Sequence, residues 1–242
     1  MQLTFQFKQT QDLRSIQDRL SIYFGEIRTE KRPDPVSQFV GSILGSRTCD
    51  AVSLAAFQRL VKYFQNWDAL ADAPESDIHD IIRDVTFPEK KVVVLKSALR
   101  NIRACSGAIN IDFLADWDVD QALCWLERIH GVGRKTSAAT LNFSELHGRA
   151  FVVDTHVLRV LRRFGFIGQH ITTEQAYDFV MVAADNLKAD DLFELHWFLK
   201  RLGQQKCGQA HAACSSCPLS DICMKRRDGE LSAVSNAFIR VA

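Results

Sequence analysis

No apolar run in this 242-residue chain approaches the roughly 18 residues that a membrane span needs, so nothing in it points to an integral membrane protein. The polar start MQLTFQFKQTQDL has neither the positive nor the apolar region of a signal peptide, and a soluble cytoplasmic protein is expected. Net charge is nearly absent: 30 Lys and Arg stand against 29 Asp and Glu, and the resulting +1 by itself gives no hint of nucleic acid. Alternation of apolar and polar residues, the mark of a half-buried strand, is missing beyond the short opening 3–7. Internal repeats and low-complexity tracts are lacking as well, which excludes a repeat array. Proline is scarce, and two of the five, Pro33 and Pro35, fall in the turn-rich segment 29–35, a candidate domain boundary.

What is present is a chain of 47% hydrophobic and 24% charged residues, enough to bury a core in one large or two small domains. Nearly every segment carries helical periodicity, and the fold class is read as all-α. The spacing predicts helices over 12–24, 36–44, 50–64, 75–84, 89–105, 119–130, 134–146, 155–164, 173–187 and 191–202. The first would set Leu13, Ile16 and Leu20 on one face, and the ninth opens with the capping-box pair Thr172 and Gln175. The tail from Lys225 is expected to be loosely ordered.

The charges are unevenly spread. Segment 109–127 has five acidic residues and no basic one, whereas 128–163 holds seven basic residues against Glu145 and Asp154. Within the second segment, Gly131, Val132 and Gly133 separate two apolar-periodic runs, so backbone amides could approach a phosphate there without a side chain in the way. The pattern looks like a helix-hairpin-helix. Arg134 and Lys135 follow in the first turn of the next helix, where the macrodipole disfavours cations. Asp154 stands before the run 155–164, at the mouth of another helix, and by its position could serve as an ordinary N-cap or as a working carboxylate.

Seven cysteines without an export signal argue against a disulfide framework. Cys207, Cys214, Cys217 and Cys223 follow C-x6-C-x2-C-x5-C, with one close pair where a zinc site would have two, so an iron-sulfur cluster fits better. Cys49, Cys105 and Cys124 lie far apart in apolar-periodic segments and are expected to fill the core. His156 and His196 have no ligand at close spacing and are read as packing or hydrogen-bonding residues.

The GVGRKT turn, the VVDTH segment and the cysteine spacing together resemble the endonuclease III branch of the helix-hairpin-helix (HhH-GPD) DNA glycosylase superfamily. The resemblance runs over 36–223, with weaker matches at ILGSRTCD, VTFPEKK and LHWFLKRLGQQKC. It implies a six-helix barrel domain over 34–146 and a second helical domain built from 1–33 and 147–242 that carries a 4Fe-4S cluster on Cys207, Cys214, Cys217 and Cys223. It implies Lys135 as the nucleophile of a bifunctional glycosylase and abasic-site lyase, and Asp154 as the catalytic carboxylate. An amine must be neutral to attack, and the helix dipole together with Arg134 should depress the Lys135 pKa. A lysine that only grips phosphate is the plainer alternative.

Phosphate contact is expected from Gly131, Val132, Gly133 and Arg134, with Arg159, Arg162 and Arg163 as further candidates. Arg47 and Phe87 match the family's DNA-inserting turns, since an enzyme that flips a base must fill the vacated stack. Phe87 could equally be a core aromatic, and Arg47 departs from the glutamine common in its turn. Lys200, Arg201, Lys206, Lys225, Arg226 and Arg227 give a second basic patch, whereas the loop GQAHAA carries no basic residue. The implied partner is double-stranded DNA with a damaged or mismatched base or an abasic site, bound by a monomer, and the implied lesion is an oxidised pyrimidine. A monofunctional glycosylase specific for adenine or a mismatch, and a non-enzymatic DNA-binding iron-sulfur protein, are the other readings.

Overall fold

The computed structural model describes residues 2–27 and 31–225. Arg226, Arg227 and the rest of the tail lie outside the described residues. The chain divides into two compact units, Glu30–Ala150 and Met1–Thr29 with Phe151–Ala242. Among the described residues the regular structure is helical, without a β-strand. No helix among them is long and apolar enough to cross a membrane.

The Glu30–Ala150 unit contains α2 (Pro35–Leu44), α3 (Asp50–Tyr63), α4 (Trp67–Asp72), α5 (Glu75–Ile82), α6 (Pro88–Ser106), α7 (Val119–Glu127) and α8 (Arg134–Asn142), with a 3-10 turn at Asp112–Asp116. The starts follow capping chemistry. Asp34 accepts from the Ser37 amide at 2.8 Å while Pro35 pre-sets the first turn of α2, and Asn66 accepts from Ala69 at the head of α4. Helix α6 stops where Gly107 turns left-handed at φ 78°.

Helix α8 packs against α2 and α7, and all its residues from Thr136 to Asn142 are buried. Its hydroxyls must therefore find partners within the helix. Ser137 donates to Gly133 O, Thr140 to Thr136 O, and beyond the helix Ser144 to Thr140 O. Small side chains with internally satisfied hydroxyls let neighbouring helices approach a segment whose sequence is hardly apolar. The expected extension of this helix to 146 does not occur, because the chain turns back and the Gly148 amide donates to Leu141 O at 2.8 Å.

The second unit consists of α1 (Gln2–Phe24), α9 (Thr155–Phe164), α10 (Thr173–Ala183) and α11 (Ala189–Gln205), with a 3-10 turn at Cys214–Ser216. Leu13, Ile16 and Leu20 form the buried stripe of α1, which packs on α10 and α11. The strand expected at 3–7 is instead the first part of α1. Five alternating residues are too few to fix a period, and no neighbouring strand exists to pair with them among the described residues. The capping box at Thr172 and Gln175 forms as expected, with both reciprocal bonds present. Gly203 lets α11 approach α9, since a Cβ there would lie 2.9 Å from Cβ of His156.

Cys49, Cys105 and Cys124 are exposed, not core fillers. Cys49 is the N-cap of α3, Cys124 lies off the buried face of α7 formed by Ala122, Leu123 and Leu126, and Cys105 lies near the end of α6 with Asn101 Oδ1 beside it. Position relative to the buried stripe, not the apolar character of the segment, decides their exposure.

Candidate functional site

The hairpin between α7 and α8 is shaped by its two glycines in different ways. Gly131 has φ 81°, and a Cβ on it would lie 2.6 Å from Cγ2 of Val94, so both backbone and packing demand glycine. Gly133 is extended at φ −118°, and an added Cβ would meet nothing within 4 Å. Its glycine keeps open the space before the first turn of α8. Val132 is 7% exposed and anchors the turn, and its amide already donates to Ile129 O at 3.0 Å. The Thr136 and Ser137 amides also donate to Gly133 O, at 2.9 and 3.1 Å, so the amides facing an anion in this turn are those of Gly131 and Gly133.

Arg134 heads α8, but its guanidinium is held by Glu127 at the end of α7, with Nη2 3.4 Å from Oε2 and a shorter contact from Nε to Oε1. Lys135 is half-buried one residue further on. Behind it in the same unit lies Lys91, 7% exposed, whose pKa is pushed down to about 8 by burial first and by the like charge of Lys135 second. Lys91 escapes a reading by motif. Its signal is a cation on the buried stripe of α6, shared with Leu95, Ala98 and Ile102.

Arg47 and Phe87, from turns 40 residues apart, are both exposed, Phe87 by 50%, so the core-aromatic alternative fails. Both hold left-handed backbone, at φ 56° and 57°, which a side chain with a Cβ adopts at a cost of roughly 1–2 kcal/mol. Phe87 also precedes Pro88, a position biased toward extended backbone.

In the other unit, Asp154 caps α9, and its Oδ1 accepts from the amides of both His156 and Val157 at 2.8 Å. The N-cap role is therefore real, and Oδ2 stands outside it. His196 contacts Val152 O through Nδ1 at 2.7 Å, and His156 pairs with Arg159, in keeping with hydrogen-bonding roles.

Cys207, Cys214, Cys217 and Cys223 line one small cavity together with Arg163, Lys206 and Lys225. Burial pushes the Cys217 thiol up, and the other three cysteines add to the shift. Among the described residues, no three His, Cys, Asp or Glu side chains converge as tightly as a single metal ion requires. The arginines expected at phosphates are occupied here. Arg159 donates to Cys207 O and Gly203 O; Arg163 donates to Gly208 O, Gln209 O and Cys207 O, with Nη1 3.5 Å from Cys207 Sγ. Arg162 turns to Ile171 O. From α1, Arg19 reaches Asp221 at 2.7 Å and holds that carboxyl below its ordinary range. The loop is thus fastened by cations from α1 and α9.

The family model of the HhH-GPD superfamily base excision DNA repair protein matches residues 40–183. Endonuclease III of Sulfolobus acidocaldarius is 26% identical over 186 residues, covering 76% of this chain and 79% of its own length. A match to an Arabidopsis thaliana protein of the DNA glycosylase group, 28% identical over 135 residues, covers 56% of this chain and only 46% of that relative. A solved non-covalent endonuclease III–DNA complex aligns with TM-score 0.76 over 91% of this chain and 98% of that one, at 21% identity, a likeness of fold. With the hairpin and its buried helix, the family match over residues 40–183 establishes that the chain belongs to the HhH-GPD superfamily of base excision DNA repair proteins.

Proposed function

We propose that this protein is a bifunctional DNA glycosylase and abasic-site lyase acting on a duplex that carries a damaged or mismatched base, an oxidised pyrimidine before others. The observation that carries the reading is the setting of Lys135: it follows directly on the glycine hairpin, in the first turn of α8, with a second buried ammonium close enough to repel its charge. A phosphate-gripping lysine gains nothing from a second cation held beside it. A nucleophile does.

In this reading the neutral Lys135 amine attacks C1′ of the flipped nucleotide. The C1′–N bond breaks and the base leaves with its electron pair, taking up a proton. Opening of the sugar ring then gives a Schiff base. Loss of a C2′ proton expels the 3′-phosphate by β-elimination, and water hydrolyses the imine to free the enzyme. Asp154, with Oδ2 outside its helix cap, is the carboxylate for the positive charge that develops at the sugar. Gly131, Val132, Gly133 and Arg134 form the phosphate-binding turn, with the Val132 amide serving the turn itself and Arg134 restrained by Glu127. Arg47 and Phe87 are the inserting side chains.

The cysteine site fits a 4Fe-4S cluster. Four soft donors surround one cavity without closing to single-ion distances, and Arg163, Lys206 and Lys225 suit an anionic thiolate-ligated centre. Cys207, Cys214, Cys217 and Cys223 would hold the cluster, which supplies a cross-link for the C-terminal loop and not a reacting group.

Borohydride trapping tests the assignment. An abasic-site duplex should be nicked without alkali and captured as a covalent adduct, and Lys135→Ala should abolish the adduct. Nicking only after alkali treatment of a base-containing duplex would identify a monofunctional glycosylase, and binding without either product a non-enzymatic protein.

A further inference from the structure

The turns that carry Arg47 and Phe87 meet at one hydroxyl. Thr48 Oγ1 accepts from the Thr86 amide at 3.1 Å and from the Lys91 ammonium at 2.7 Å. Its own proton points to Ser46 O at 3.4 Å, so both its accepting sites and its donor are in use. Thr48 directly follows Arg47 and Thr86 directly precedes Phe87, so each bond is made one residue from an inserting side chain.

Lys91 completes the junction from both sides. Its Nζ also donates to Leu44 O at 2.6 Å, satisfying one of the carbonyls left over at the end of α2 and meeting the negative end of that helix. Its backbone amide donates to Phe87 O at 3.2 Å, closing the first turn of α6 on the inserting phenylalanine. One residue therefore grips the Phe87 turn by its main chain and the Arg47 turn by its side chain. The junction explains how two left-handed, non-glycine conformations persist side by side, since such strain survives only where the surroundings over-determine it.

We propose that Lys91 and Thr48 are positioning residues that lock the Arg47 and Phe87 turns into a single two-pronged wedge, so that both side chains enter a DNA duplex as one rigid piece. The proposal rests on the reading above in which these two side chains insert. A buried ammonium is an expensive way to tie two turns, and here burial depresses its pKa to about 8. The rigidity it supplies offsets the entropy that two independent loops would lose on entering the stack. Its repulsion of Lys135 means that the wedge and the nucleophile share one neighbour.

Thr48→Val tests the lock without touching the Lys91 charge. The measurement is the single-turnover rate of borohydride trapping on an abasic site, placed once in a duplex and once in a single-stranded oligonucleotide of the same sequence. A wedge matters only where neighbouring bases are stacked and paired. Thr48→Val is expected to slow trapping about ten-fold in the duplex and no more than about two-fold on the single strand, with Thr48→Ser within about two-fold of wild type on both. Because the two residues act through one junction, Thr48→Val combined with Lys91→Met should be no slower in the duplex than Lys91→Met alone. Equal slowing on both substrates, slowing on neither, or losses that multiply in the double variant would overturn the lock. Should Thr48→Val not fold, as judged by circular dichroism, Thr48→Ala carries the same comparison. A wild-type protein that traps neither substrate would instead sink the lyase reading itself.

Discussion

Glu127 reaches across the hairpin to Arg134, tying the last residue of α7 to the first of α8 through a two-point carboxylate–guanidinium contact. The side chains are 27% and 21% exposed, so this pair is better shielded than an ordinary surface bridge. It both braces the glycine turn and restrains a cation beside the proposed phosphate site. Glu127→Gln should therefore lower stability by about 1 kcal/mol while strengthening binding to an abasic-site duplex at low salt. The slope of log K against log salt should steepen by about 0.9, the counterion release of one extra phosphate contact. Salt titration of duplex binding reads this directly, and an unchanged slope would mean that Arg134 contacts phosphate from within the pair.

Three exposed cysteines against four around a cavity give a clean chemical contrast. With the cluster bound, Cys49, Cys105 and Cys124 should be alkylated by a maleimide in the native protein, and Cys207, Cys214, Cys217 and Cys223 protected. Oxidative loss of the cluster should open the remaining four to reagent. Peptide mass spectrometry of protein labelled before and after cluster removal counts them. Labelling of all seven at equal rates in protein that retains the cluster chromophore would contradict the ligand assignment.

The same cysteines mark the limit of what was legible in the sequence. Helices with a full apolar stripe and a cap could be read directly: 155–164 begins after the Asp154 cap and ends at Gly165 with φ 92°. Gly131 was legible for a similar reason, because its left-handed backbone leaves its trace at a single position. Helix α4, six residues long, is shorter than the window in which a period can be recognised. Tertiary partnerships left no trace at all. Lys91 meets Leu44 and Thr48 across 47 and 43 positions, and Arg163 meets the Cys207 segment across 44, distances at which local pattern carries no information. Of the α9 arginines, attractive as phosphate ligands by charge alone, Arg159 and Arg163 serve the cysteine segment and Arg162 bonds Ile171 O.

The depressed pKa of Lys91 gives a pH signature with a definite sign. Its folded value, about 8, lies below the ordinary 10.5, so between these limits the unfolded chain binds more protons than the folded one. Unfolding free energy therefore rises with pH across that window, and the cost of the buried charge is fully present below about pH 8. Other groups titrate there as well, so the useful quantity is the difference between wild type and Lys91→Met. Urea melts at pH 7 and pH 9.5 should show wild type gaining stability relative to the variant at the higher pH. A gain in the opposite direction would mean that the ammonium is stabilised, not penalised, by its site.

The two hairpin glycines separate fold from function. At Gly131 an added methyl must both adopt φ 81° and displace Val94, whose Cγ2 would be 2.6 Å away. Gly131→Ala should cost about 2 kcal/mol or more, and Val94→Ala in the same chain should recover part of it by removing the clash but not the backbone strain. Gly133 has ordinary backbone and open space around it, so Gly133→Ala should cost no more than about 1 kcal/mol, the difference between glycine and alanine at an N-cap. In the proposed binding mode its methyl would nevertheless stand where a phosphate approaches the turn. Duplex affinity should fall for Gly133→Ala while the thermal midpoint stays close to wild type, and for Gly131→Ala the midpoint should fall first. Melting curves paired with abasic-duplex titrations distinguish the two, and a Gly133→Ala protein with full affinity would remove the hairpin from the phosphate site.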